Sequence, residues 1–147
     1  VRDNQAPEFP GFTSSGGGLH LTGRPATLTN CLIADNTTAG PGGGVYAVYT
    51  TVTLAGTTTI QGNTADRGGG ICSNFEILTT LTIGPDCRIT GNTASADGGG
   101  GIDRAGRGEV ILQGADPSPI VTDNCPDNCG GGTISKCAAT PVSCPAP

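Results

Sequence analysis

The chain has 147 residues, 26 of them glycine, with 3% aromatic and 13% charged residues and a net charge of −5. So few large side chains exclude an ordinary globular core, and the acidic balance excludes a nucleic-acid partner, which needs clustered Lys and Arg. No apolar run approaches the ~20 residues of a membrane span, and the wealth of Val, Ile and Thr points to one domain of short strands joined by tight glycine turns.

Residues 1–15 are polar and interrupted by Pro7 and Pro10. They read as an N-terminal arm or cap. Phe9 and Phe12, two of the chain's three Phe, are costly to leave in water. They are the candidate self-association contacts, folding back over Leu19 or docking on a second molecule. The absence of Met, the start at Val1 and the abundance of Cys fit a secreted protein whose signal peptide has been removed, and equally a piece of a longer protein.

Residues 16–124 carry an internal repeat. Glycine clusters at Gly16–Gly18, Gly42–Gly44, Gly68–Gly70, Gly99–Gly101 and Gly130–Gly132 are 26, 26, 31 and 31 residues apart. The first four are followed at once by Leu19, Val45, Ile71 and Ile102. A second motif precedes each later cluster: Ile33-Ala34-Asp35-Asn36, Ile60-Gln61-Gly62-Asn63, Ile89-Thr90-Gly91-Asn92 and Val121-Thr122-Asp123-Asn124. Between the motifs lie alternating runs such as Thr51-Val52-Thr53-Leu54 and Thr80-Leu81-Thr82-Ile83, the mark of half-buried strands. Glycine triplets and Thr-rich runs exclude a helical repeat.

One such unit cannot bury its own apolar face, whereas stacked coils can. The expected fold is all-β: a parallel β-helix, or β-solenoid, of about four coils. Equivalent residues then lie roughly 4.8 Å apart. Leu19, Val45, Ile71 and Ile102 form one inward column, and Ile33, Ile60, Ile89 and Val121 form another. Asn36, Asn63, Asn92 and Asn124 form a ladder of side-chain amides, because the offset from the aliphatic residue to Asn never varies. Asn36-Thr37-Thr38 is a glycosylation sequon that burial in this ladder would silence.

The pairing of a GG-apolar motif with an apolar-x-x-Asn motif resembles the repeat of chlamydial polymorphic outer membrane proteins and related β-helical passenger proteins. The stretches Gly42 to Asn63 and Gly68 to Asn92 match best, and the resemblance covers residues 16–124. Here Ile or Val stands where that family has Phe, the fourth copy is irregular, and the 147 residues hold no translocator barrel. The resemblance implies a right-handed parallel β-helix with roles in adhesion and surface display.

Cys31 and Cys87 fall in one column two coils apart, with Thr58 between them. That is about 9.6 Å, too far for a disulfide. Cys72 follows Ile71 and should point away from the core. Cys125, Cys129, Cys137 and Cys144 crowd residues 125–147 with four prolines, and two disulfides there would make a Cys/Pro-rich C-terminal cap. Cys-x3-Cys and Cys-x6-Cys are not common zinc spacings. No metal or cofactor is expected.

No catalytic residue is expected either. His20 is the one histidine, and the GxSxG, HExxH and phosphate-loop patterns are absent. Asp66-Arg67, Asp97 and Asp103-Arg104 lie near glycine turns, where adjacent coils could bring them together as in polysaccharide-cleaving β-helices. Solvated turn charges are the plainer reading. The functional expectation is therefore a secreted or cell-surface structural or adhesive module rather than an enzyme. It would self-associate along the solenoid axis or bind a cell-surface or polysaccharide partner. Two alternatives are polysaccharide binding or cleavage, and ice binding through threonines at Thr27-Leu28-Thr29, Thr51-Val52-Thr53 and Thr80-Leu81-Thr82. Glu109-Val110-Ile111 interrupts that last pattern.

Overall fold

The computed structural model describes residues 1–7, 13–74, 79–96, 98–114, 120–137 and 144. These residues form strands and turns with no helix. The first coil is β1 (Leu19–Thr22), β2 (Ala26–Thr29) and β3 (Leu32–Ala34). The second is β4 (Val45–Val48), β5 (Thr51–Ala55), β6 (Thr59–Gln61) and β7 (Thr64–Ala65). The third is β8 (Ile71–Asn74), β9 (Thr80–Ile83), β10 (Arg88–Thr90) and β11 (Thr93–Ala94). The fourth is β12 (Gly99–Arg104), β13 (Glu109–Leu112) and β14 (Val121–Thr122), and β15 (Asp127–Gly130) stacks on β12. Strands pair only with their counterparts one coil away, always in parallel. The sheets are β1-β4-β8-β12-β15, β2-β5-β9-β13, β3-β6-β10-β14 and the short pair β7-β11. This is a parallel β-solenoid.

Period-2 alternation puts every second strand residue inside. Val45, Ile71 and Ile102 lie in register and are buried, while Leu19 at the head of their column is half-buried. Ile33, Ile60, Ile89 and Val121 form a second column, buried throughout. The middle sheet adds two more columns: Ala26, Val52, Leu81 and Val110, then Leu28, Leu54, Ile83 and Leu112. Among the described residues the core is thus built almost wholly from aliphatic side chains stacked on their own kind, with no aromatic ring. Ile60→Ala should cost about 2–5 kcal/mol, as buried Ile-to-Ala changes do. Urea unfolding checks this, and a cost below about 0.5 kcal/mol would place Ile60 at the surface.

The turn that ends each coil explains the second motif. The residue before each ladder Asn has a left-handed backbone: Asp35 (φ 55), Gly62 (φ 63), Gly91 (φ 64) and Asp123 (φ 56). Glycine adopts that region freely, and Asp tolerates it because its short side chain bonds locally. The turn aims the following Asn inward, where Asn36, Asn63, Asn92 and Asn124 are fully buried.

Both ends differ from the simple repeat. Residues 1–6 are a further rung on β3 rather than a loose arm, with Arg2 bridged to Ala34 and Gln5 to Thr37. At the other end, Cys129 lies in register with Ile102 and Gly130 with Asp103. The fifth glycine cluster therefore follows a strand instead of opening a coil, and Asp127-Asn128 occupies the place of a glycine pair. Ile134 and Cys137 then pack on the core, and disulfides join Cys125 to Cys144 and Cys129 to Cys137. Phe9 and Phe12 lie outside the described residues.

Candidate binding surfaces

With the interior filled, the surfaces left for a partner are the outward faces of the sheets and the two ends. The middle sheet carries the threonines. Thr27, Thr53 and Thr82 share one outward column that ends at Ile111, and Thr51 and Thr80 share the next, ending at Glu109. Thr27 therefore aligns with Thr53, not with Thr51 as the triplets read side by side imply, because β2 and β5 pair two residues out of step with that reading, Leu28 on Leu54 and Thr29 on Ala55. Thr27 and Thr51 are exposed, Thr53, Thr80 and Thr82 half-buried, and Ile111 is 39% exposed.

The outward column of the first sheet is chemically richer: His20, Tyr46, Cys72 and Asp103 stand in register across four coils. Burial deepens along it. His20 is exposed, and its ring meets Tyr46 edge-on at 4.9 Å. Cys72 points away from the main core, yet it is buried in a small outer cluster with Tyr46 and Ala105. Asp103 is fully buried, 2.9 Å from Arg67 Nε. Asp66 adjoins this pair. Asp97 lies outside the described residues.

Ser15 Oγ stands 3.4 Å from His20 Nδ1, the one Ser–His contact among the described residues available for nucleophilic chemistry. The N–H groups of Gly16, Gly17 and Gly18 beside it donate to the carbonyls of Pro41, Gly42 and Gly43, each at 3.0 Å. None is left to hold an oxyanion, the group such a reaction needs most. Among the described residues no group of three His, Cys, Asp or Glu could hold a metal ion.

Burial, with Asp103 nearby, pushes the Cys72 thiol up to about 12, so it stays protonated. Burial likewise raises Cys87. The thiolate is the reactive form. Cys31 is half-exposed, and its N–H donates to Thr58 Oγ1, which separates it from Cys87. In the native protein a maleimide should label Cys31 and leave Cys72 and Cys87 untouched until unfolding. Native labelling of Cys72, read by peptide mass spectrometry, would contradict the register of β8.

Burial also raises Asp103 above the usual carboxylate range, an effect that Arg67 opposes and Asp66 reinforces. A carboxyl raised on folding favours the folded state in acid. That contribution is complete below the ordinary Asp value of about 4 and is lost as pH rises through the shifted one. Asp103→Asn should therefore leave Tm at pH 7 unchanged or higher and flatten its change between about pH 4 and 7. A marked fall in Tm at pH 7 would mean that the pair with Arg67 outweighs burial.

The ladder is the most regular feature. Asn36 N–H and Nδ2 donate to Asn63 Oδ1 at 3.0 and 2.9 Å. Asn63 does the same to Asn92, and Asn92 to Asn124. Two members escape a reading of the central repeats alone. Asn4 donates to Asn36 Oδ1 at 3.1 and 2.9 Å, and Asn124 donates to Asn128 Oδ1, both at 3.1 Å. Val1-Arg2-Asp3-Asn4 has the same apolar-x-x-Asn spacing, with Asp3 left-handed (φ 58). That spacing was the available signal. Asn128 follows Asn124 by four residues and has none.

The fold and ladder together define a repeat-built parallel β-solenoid. Residues 57–74, which hold Ile60, Asn63 and the Gly68–Gly70 turn, match the Chlamydia polymorphic membrane protein repeat. This stretch, which ends one coil and opens the next, is similar to a β-helix repeat of the polymorphic membrane protein type. No curated protein and no solved structure matches the chain.

Proposed function

We propose that this chain is a cell-surface structural module with an adhesive flank. One observation carries the reading: the repeated inward groups, aliphatic and amide alike, are consumed in stacking coil on coil, so a partner meets only outward faces and ends. The threonine face of β2, β5, β9 and β13 is the adhesive surface. Its hydroxyls and aliphatic methyls suit a neutral polysaccharide or cell-wall polymer, and Glu109 is the one charge in its two central columns. The test is retention of the chain on immobilised neutral polysaccharides and on cells, beside a Thr53→Lys, Thr82→Lys variant. We expect retention that the variant loses by about tenfold, a difference of roughly 1.4 kcal/mol. Equal retention of both proteins removes the face from the reading, and cleavage of the polymer would make the chain an enzyme.

The same columns support a second reading. Threonines in register along parallel strands repeat about every 4.8 Å, which suits a lattice such as ice. A thermal-hysteresis assay separates the two, and no freezing-point gap at millimolar protein ends the second. End-to-end filaments fit less well, because the C-terminal end is covered. Val121 and Leu112 in the last coil are buried, whereas Leu19 and Leu28 in the first are half-buried.

A further inference from the structure

The corner between the first and middle sheets has the same length in the first two coils. Thr22 pairs with Val48 on one side of it and Ala26 with Val52 on the other, so Tyr49 takes the place of Gly23. Both have a left-handed backbone, Gly23 at φ 74 and Tyr49 at φ 52. The corner between β12 and β13 turns through another such glycine, Gly106 (φ 105). Residues 75–78, between β8 and β9, lie outside the described residues. Glycine makes this turn at no steric cost, whereas a bulky side chain makes it under strain.

Among the described residues six other than glycine are left-handed. Four are Asp or Asn, whose short side chains tolerate the region. A fifth, Lys136, reaches Gly114 O through Nζ at 3.0 Å. The Tyr49 side chain makes no hydrogen bond or ring contact among the described residues, and Tyr49 is 49% exposed. Strain held at an exposed residue points to a use outside the fold. The backbone that carries the ring is fixed on both sides. Val48 lies in register with Thr22 and Asn74. Thr50 is buried, its hydroxyl donates to Arg24 O at 2.5 Å, and its carbonyl accepts from Thr80 N–H at 3.2 Å. The ring is thus presented from a rigid corner and loses little freedom on binding. Thr51, about 7 Å further along the chain by the strand rise, opens the threonine face.

We propose that Tyr49 is a stacking platform for one sugar ring of a neutral polysaccharide, whose next units run along β5 over Thr51 and Thr53. A pyranose turns C–H groups to its faces and hydroxyls to its edge. The C–H face covers the tyrosine ring, whose face is the negative side of its quadrupole, and the edge meets hydroxyl donors and acceptors. Thr51 and Thr53 stand in the outward columns of β5 and supply them. Tyrosine suits the task because it offers a large rigid face with only two side-chain torsions to fix. The platform deepens the adhesive reading, on which it rests, by naming the residue that selects a sugar polymer over other hydroxyl-bearing surfaces.

The test is calorimetric titration of the intact chain with cellohexaose, xylohexaose and mannohexaose, beside Tyr49→Phe, Tyr49→Gly and the Thr53→Lys, Thr82→Lys variant. We expect saturable binding of at least one of the three sugars, kept within about threefold by Tyr49→Phe and weakened about tenfold or more by Tyr49→Gly. Tyr49→Gly should melt no lower than the parent chain, because glycine relieves the turn. A lower melting temperature would mean that the ring serves the fold, and that overturns the proposal. So do equal binding by Tyr49→Gly and no binding of any of the three at millimolar sugar. Arg24 is exposed opposite Thr50 in the first coil, so the acidic polymer polygalacturonate is titrated as well. Binding to that polymer alone, lost in salt, would assign the corner to Arg24 instead. Binding that falls in Tyr49→Gly but not in the threonine variant keeps the platform and removes the threonine face from the adhesive reading. The reverse keeps the face and removes the platform.

Discussion

Asn63→Ala is expected to leave the chain largely unfolded at room temperature. Asn63 Oδ1 accepts both donors of Asn36, and its Nδ2 reaches Asn92 Oδ1 at 2.9 Å, Ile33 O at 3.1 Å and Gln61 O at 2.9 Å. Asn36, Asn63, Asn92 and Ile33 are all fully buried. Alanine supplies none of it, and the groups it strands lie away from solvent. Each orphaned buried donor or acceptor costs about 1–3 kcal/mol, so losing three or four amounts to roughly 4–8 kcal/mol. A domain of this size has only about 5–15 kcal/mol in total. Circular dichroism with urea titration is the measurement. A loss under about 1 kcal/mol would mean that the ladder is ornamental and the aliphatic columns carry the fold.

Gly44→Ala should be comparably damaging for a steric reason. A Cβ on Gly44 would sit 2.6 Å from Gly70 O, 2.9 Å from Ile60 Cγ2 and 3.1 Å from Asn63 Nδ2. The carbonyl cannot retreat, because Gly70 O accepts from Val45 N–H at 2.9 Å and ties the two coils together. Relief requires opening the spacing between coils, which strains every ladder at that level. We expect a cost of about 3 kcal/mol or more. Gly23→Ala is the control. Gly23 has a left-handed backbone (φ 74) with nothing near its would-be Cβ, so it should cost only about 1–2 kcal/mol. If the two variants unfold at the same urea concentration, close approach is not why glycine occupies position 44.

Much of this architecture is legible in the sequence because a solenoid writes its fold as a period. A fixed offset from Ile60 to Asn63, repeated from Ile89 to Asn92, can arise only if equivalent residues stack. Register within the middle sheet was harder. Thr-x-Thr occurs once in β2 and once in β5, the two are offset by two residues in the sheet, and a period-2 pattern cannot distinguish a shift of two residues. The ends were least legible. Asn4 obeys the motif but stands outside the glycine-bounded copies. Asn128 reaches the ladder through a four-residue step with no counterpart elsewhere in the chain. The partners of Asp103 were obscure for a different reason: Arg67 and Asp103 are 36 residues apart in the sequence, and only the stacking of one glycine turn on the next brings them together.

The Asn-to-Asn bonds run in one sense only: every side-chain oxygen accepts from the Asn on its N-terminal side, and every amide gives one hydrogen to the Asn on its C-terminal side, while its other hydrogen goes to backbone carbonyls of its own and the preceding coil. Side-chain amides carry dipoles of about 3.5 D, like peptide units, and in series they add. The backbone bonds of a parallel sheet contribute little net moment. The solenoid axis is thus electrically polarised, with its negative pole at Asn4 and its positive pole toward Asn128. Each amide is polarised by those on either side, so a central member is worth more than a terminal one. Equal substitutions along the row should therefore be graded in severity, mildest at Asn4 and greatest at Asn63 and Asn92, although the four central amides are equally buried.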